Sequence, residues 1–322
     1  MTRTAALATI LALATAASLA TALALGSLPI GFTAVFDSVF FPAPGIVHDV
    51  IWNLRAPRAF AAFACGGLLA LAGTLLQVLL RNALADPYVL GVSGGASLGA
   101  LLALVAGAGV AAMNASALAG AIGALLVVFG LTYRGGDWNV YRLLLTGVVL
   151  SAGLSALISL TLVLAPEAQV KGMLFWLMGD LSQSDSPWGA WLVLSVLTVL
   201  AFVAAARLDL LGLGELKARS LGVGVAGLQF GVFAAAALAT VTAVVLGGAI
   251  GFIGLMAPHA IRLGGVSNHR ALLPLAVMLG GSVLTFADTA ARTLWAPQQL
   301  PVGILTAMIG VPAMLLLLGK QR

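Results

Sequence analysis

Over residues 87–133, and again over residues 221–260, the chain carries no Asp, Glu, Lys or Arg. Each stretch is about twice the roughly 20 residues that a helix needs to cross a bilayer. Backbone groups in lipid must be satisfied within helices or closed barrels. A barrel would alternate polar and apolar residues, whereas these runs are apolar on every face. The charged fraction is 8% and the hydrophobic fraction 61% of 322 residues, against about 25% charged in a soluble chain. No water-facing domain of ordinary size can be built from this composition. The sequence predicts an all-α polytopic membrane protein, a single transmembrane domain over residues 1–322.

Ten spans are expected. Residues 4–28, after Arg3, form a run too long for the roughly 7–15-residue core of a signal peptide and are read as an uncleaved span. The next spans are 59–80, two helices between Asp86 and Arg134 that turn near residues 107–114, 143–165 and 186–206. Then come 226–246, a short crossing at 250–263, 271–287 and 302–318. Gly247, Gly248, Gly251 and Gly254, followed by Pro258, supply the break before the short one. Ten spans put both termini on one side. With the termini in the cytoplasm, Arg3, Arg81, Arg134, Arg142, Arg207, Lys217, Arg219, Arg262, Arg270, Lys320 and Arg322 lie inside. Arg55, Arg58, Lys171 and Arg292 lie outside, a balance of 11 to 4 that satisfies the positive-inside rule.

Several function classes lose support. No ionisable residue lies clearly at the middle of a span, where ion-coupled carriers usually keep one, so a secondary carrier is disfavoured. His, Asp and Glu are not clustered, which disfavours a membrane-embedded enzyme; no catalytic and no metal-binding residue is expected. The net charge of +5 has no basic run or face that would bind nucleic acid. No Gly-x-x-x-x-Gly-Lys-Ser/Thr occurs, so the chain holds no ATP in a P-loop. Cys65 reads as a small packing residue. The pairs Gly91/Gly95, Gly95/Gly99 and Gly227/Gly231 permit close helix approach.

The segments between spans are more specific. Arg55 and Arg58 sit at a helix start, where the dipole favours anions. They either snorkel to the interface or hold cations outward for an acidic partner. Residues 81–97 form a polar, Pro-containing hinge that opens into a Gly/Ser-rich helix start. The segment 208–225 combines Glu215, Lys217 and Arg219 with flanking glycines, consistent with two short helices joined by glycine. Tyr141 is an aromatic at a span entrance, where interfacial belt residues also occur. His259 reads as a structural hydrogen-bonding residue rather than a haem ligand.

The hinge resembles the signature of the FecCD-type permeases, which import iron chelates, haem and cobalamin. Further blocks match in order: Leu-Arg-x-Pro-Arg at 54–58, residues 208–223, Gly-Phe-Ile-Gly-Leu-Met-Ala-Pro-His-Ala-Ile-Arg at 251–262, and 287–292 with 300–303. Ala83 departs from the family, which commonly has Pro there. The resemblance implies a type II ABC importer permease in the bacterial cytoplasmic membrane. Its implied partners are a second copy of the chain, two ABC ATPase subunits that use ATP and Mg, and a periplasmic or lipid-anchored substrate-binding protein. The implied cargo is a metal chelate, an iron-siderophore or haem, with cobalamin as the alternative. The resemblance assigns Arg55, Arg58 and Arg292 to docking of the binding protein. It assigns Leu213, Gly214, Glu215, Arg219, Leu221 and Gly222 to ATPase coupling, and Asn82, Leu84, Val140 and Tyr141 to a cytoplasmic gate.

Overall fold

Among the residues described by the computed structural model, 3–26, 28, 30–132, 140–182 and 186–319, every regular element is helical. Helix α1 (Arg3–Ala24) is followed by α2 (Phe32–Phe40) and α3 (Ile46–Asp49), and α3 runs through a π-turn at Val50–Arg55 into α4 (Ala56–Leu79). A 3-10 turn at Pro87–Leu90 leads into α5 (Val92–Val105), α6 (Val110–Thr132) and α7 (Val140–Leu164). Next are α8 (Glu167–Met178), α9 (Trp188–Val203), α10 (Ala205–Gly212) and α11 (Glu215–Ser220). The chain continues with α12 (Val225–Gly247), α13 (Ile253–Leu263), α14 (His269–Thr293) and α15 (Val302–Gly319).

Six stretches are long and apolar enough to cross a membrane: α1, Ile46–Leu79, α6, Tyr141–Leu164, α12 and α14. Helices α9 and α10 together make a seventh, bent by 65°. Helices α5 and α15 are apolar but shorter, as is α13 at 11 residues. Each expected span therefore has a helix, with local corrections. Residues 52–58 are helical rather than the end of a loop. The stretch expected as one span over 186–206 bends at Ala204. The break before α13 is made by Gly248 (φ 73°) and Phe252 (φ 70°), while Pro258 lies within α13. Helices α2 and α8 were not expected at all.

Helix α4 is the axis of the bundle, buried along nearly its whole length and packed by α9, α12, α13 and α14. Its sequence explains this position. Lipid supplies no hydrophobic drive between helices, so close packing depends on small residues, and α4 is rich in Ala and Gly. A Cβ at Gly73 would lie 1.8 Å from the Gly254 carbonyl oxygen, and one at Gly66 would lie 2.3 Å from that of Gly280. The α5–α6 pair closes the same way, Gly95 against Gly120 and Gly99 against Ser116. Gly227 and Gly231 meet nothing within this chain. Cys65 is buried at the α4–α12 contact, its Sγ 3.5 Å from the Ala243 carbonyl oxygen.

A substitution at Gly73 meets backbone that cannot rotate aside. Gly73→Ala is expected to cost at least the roughly 1–3 kcal/mol of ordinary overpacking and to remove most folded protein, as read by size-exclusion chromatography in detergent. Gly231→Ala should elute as the parent does. A parental profile for Gly73→Ala would refute this packing.

Candidate functional site

One end of the bundle, which the charge count assigns to the cytoplasm, brings together the hinge and the 208–225 segment. Helix α4 stops in a Schellman turn: the Arg81 N–H donates to Val78 O at 3.2 Å and the Asn82 N–H to Gln77 O at 3.1 Å. Arg81 holds a left-handed backbone (φ 48°) where glycine is usual. The Asn82 carbonyl Oδ1 accepts from the Leu84 N–H at 2.9 Å, and the Asp86 carboxylate accepts from the Tyr88 N–H at 2.8 Å. These two side-chain turns shape the hinge. The Tyr88 hydroxyl then donates to Ile250 O at 2.7 Å, joining the hinge to the break before α13. Of the residues assigned to the gate, Asn82 is thus engaged in the turn, Leu84 is exposed, and Tyr141 is 74% exposed in the first turn of α7. The side chain of Val140 lies outside the described residues.

The 208–225 segment folds as the two short helices expected, joined at Gly214 (φ 107°) and ended at Gly222 (φ 80°). Leu208, Leu211 and Ala218 face inward and are buried, while Leu213, Leu216 and Leu221 are exposed, as is Arg219. Three polar ties hold the segment from the membrane side. Asp209 Oδ1 accepts from the His269 N–H at 3.0 Å and lies 2.5 Å from His269 Nδ1. Glu215 Oε1 accepts from Gln229 Nε2 at 3.0 Å and pairs with Arg81 Nη2 at 3.6 Å. Glu215 therefore links this segment to both the hinge after α4 and α12. Leu216, at 87% exposure, is its most prominent apolar group and escaped the sequence reading.

His259 is buried beside this end. Arg262 donates to Gln77 Oε1, and Gln77 Nε2 donates to Leu255 O at 3.3 Å, so the last turn of α13 is tied to α4. Among the described residues, no three His, Cys, Asp or Glu side chains gather as a metal site.

The opposite end gathers the three arginines expected outside. Arg58 grips Asp288 with Nε at 3.1 and 3.0 Å from the two carboxylate oxygens and Nη2 at 2.9 Å. Its Nη1 donates to Gln299 Oε1 at 2.8 Å. Arg55, only 4% exposed, donates to Leu23 O at 2.7 Å, to Ala24 O at 2.8 Å and to Leu28 O. Arg292 donates to Ala22 O, and its Nε lies 3.9 Å from Asp288 Oδ2. The last carbonyls of a helix lack internal partners and carry the negative end of its dipole. Guanidinium groups from the π-turn ahead of α4 and from α14 satisfy those of α1. This answers the oddity of two arginines at a helix start: each is compensated by groups from other helices. Gln299 also lines an outer cavity of about 1160 Å³ with Asn114, Lys171, Trp176, Asp180 and Gln298. Asp288 and Gln299 were missed in the sequence; the i,i+4 spacing of Asp288 and Arg292 was the available signal.

These features define a polytopic helical membrane permease. The profile of the FecCD transport family matches residues 11–320, and the chain belongs to that family of ABC importer permeases. It is 38% identical over 276 residues to the vitamin B12 import system permease protein BtuC of Klebsiella pneumoniae subsp. pneumoniae, covering 84% of this chain and 83% of that one. It is 36% identical over 278 residues to BtuC of Escherichia coli O9:H4, covering 84% of each. A solved structure described as an inward-facing conformation of a metal-chelate type ABC transporter superposes with a TM-score of 0.85 at 30% identity, over 96% of this chain and 97% of that one. PsaBC from Streptococcus pneumoniae in complex with Fab, at 14% identity and a TM-score of 0.54 over 88% and 94% of the two chains, shares the fold alone.

Proposed function

We propose that the chain is the pore-forming subunit of an ATP-driven importer of a corrinoid such as vitamin B12. Its 322 residues form one permease domain with ten spans and both termini in the cytoplasm, in the bacterial cytoplasmic membrane. Two copies enclose the pore. In support, α7 exposes Ala152, Gly153, Ser155, Ala156 and Ser159, small residues that let another helix approach closely. The exposed Leu213, Leu216 and Leu221 form the contact for each of two ATPase subunits, where ATP and Mg are used; the permease does no chemistry itself. Asn82, Leu84, Val140 and Tyr141 close the pore at the cytoplasmic end. The arginine cluster receives the acidic face of a periplasmic or lipid-anchored substrate-binding protein.

The identity to vitamin B12 permeases over 84% of the chain carries the cargo reading. It favours cobalamin over the iron chelates expected from the sequence. A second reading, haem or a ferric siderophore, is favoured by the likeness to a metal-chelate type transporter. Family membership sets the secondary carrier aside. Competition separates the two cargoes. Cells carrying the complete transporter should accumulate labelled cyanocobalamin, unaffected by excess haem or ferric siderophore. Uptake of a labelled iron chelate that cyanocobalamin fails to inhibit would establish the second reading.

A further inference from the structure

Asp288 stands between two arginines and hydrogen-bonds only one. Its carboxylate, 2% exposed, is held by three short contacts to Arg58. Arg292 Nε is 3.9 Å away, too far for a hydrogen bond. That Nε is buried with no hydrogen-bond partner, on a side chain only 9% exposed. An unpaired donor in such a place is costly. Arg58 has the opposite problem: it is the more exposed of the two, and any acidic partner must draw it away from Asp288. Removing one member of a buried ion pair leaves the other charge uncompensated.

One small movement resolves both costs. We infer that Asp288 is a shared counter-ion that passes from Arg58 to Arg292 when an acidic partner takes Arg58. This rests on the docking role proposed above and deepens it. Arg292 then acts as a positioning residue that recaptures Asp288 from one helical turn away. Because Arg58 also holds Gln299, its departure frees a residue that lines the outer cavity. Docking is thereby linked to the cavity mouth.

The test is a double-mutant cycle on the detergent-purified complete transporter, titrated with its own fluorescently labelled substrate-binding protein. R292Q is expected to weaken docking roughly tenfold in the parent, and by less than about twofold in a D288N background, because the two residues act through one another. D288N alone should tighten docking, since Arg58 no longer has an internal competitor. Equal losses for R292Q in both backgrounds would overturn the handover. Loss of docking in R58A supports the underlying reading, and unchanged docking in R58A would overturn that reading itself. Should D288N fail to fold, the structure of the docked parent complex decides. Arg292 Nε is expected within about 3.2 Å of Asp288, with Arg58 withdrawn. An intact Arg58–Asp288 pair in that complex would overturn the proposal.

Discussion

Changing Leu216 or Leu221 to Asp should give a permease that inserts and folds normally but loses its ATPase subunits on purification. Both leucines are exposed on α11 or just after it, so nothing inside the chain resists the new charge. The cost arises only when the surface is covered by a partner. Burying a lone charge costs several kcal/mol, and each 1.4 kcal/mol is a factor of ten in affinity. The expected weakening is therefore 100-fold or more on the order of these figures. Leu208→Asp offers the contrast. Leu208 is buried within the chain, so that variant should lose folded protein instead. If Leu216→Asp and Leu221→Asp both retain the ATPase and transport at the parental rate, the 208–225 segment is not the transmission element.

The second large effect is expected at the arginine cluster. Arg58→Glu would set a second carboxylate against the buried Asp288 and remove the contacts that hold it. Breaking a buried pair costs about 3–5 kcal/mol. Uptake should fall below a tenth of the parental rate, and the thermal transition of the purified protein should drop. The charge swap Arg58→Asp with Asp288→Arg separates the two causes. It restores an ion pair and should restore the thermal transition, yet it leaves an anion where a cation is needed for docking, so uptake stays lost. Parental uptake in Arg58→Glu would show that docking does not depend on this cation. Arg55 is the poorer choice for such a test, because its reversal would leave three carbonyls at and just past the end of α1 without their donor.

The spans were legible because lipid imposes one simple rule, a long run free of charge. The turn at residues 106–109 and the break at 248–252 were legible because glycine and the doubled length required them. The segment at 208–225 announced itself by charges set between glycines. The short helices α2 and α8 were not legible, since nine or twelve residues are too few to mark a span by length. The arginine cluster was half legible. Charge counting located Arg55, Arg58 and Arg292, but their partners come from helices far apart in sequence. Asp288 lies 230 residues from Arg58, and the carbonyls of α1 leave no mark in the side-chain sequence. Leu216 was passed over because an apolar residue on a short helix looks the same whether it faces in or out.

The central claim is that this chain conducts cargo only under the drive of a separate ATPase. Reconstitution into liposomes with the partner ATPase, the substrate-binding protein and labelled cyanocobalamin tests it most directly. The chain alone should hydrolyse no ATP and pass no label. The full assembly should accumulate label only with ATP and Mg on the side of the exposed Leu213, Leu216 and Leu221. ATP hydrolysis that stays with the purified chain through stringent washing, or label that accumulates with no ATPase present, would contradict the account.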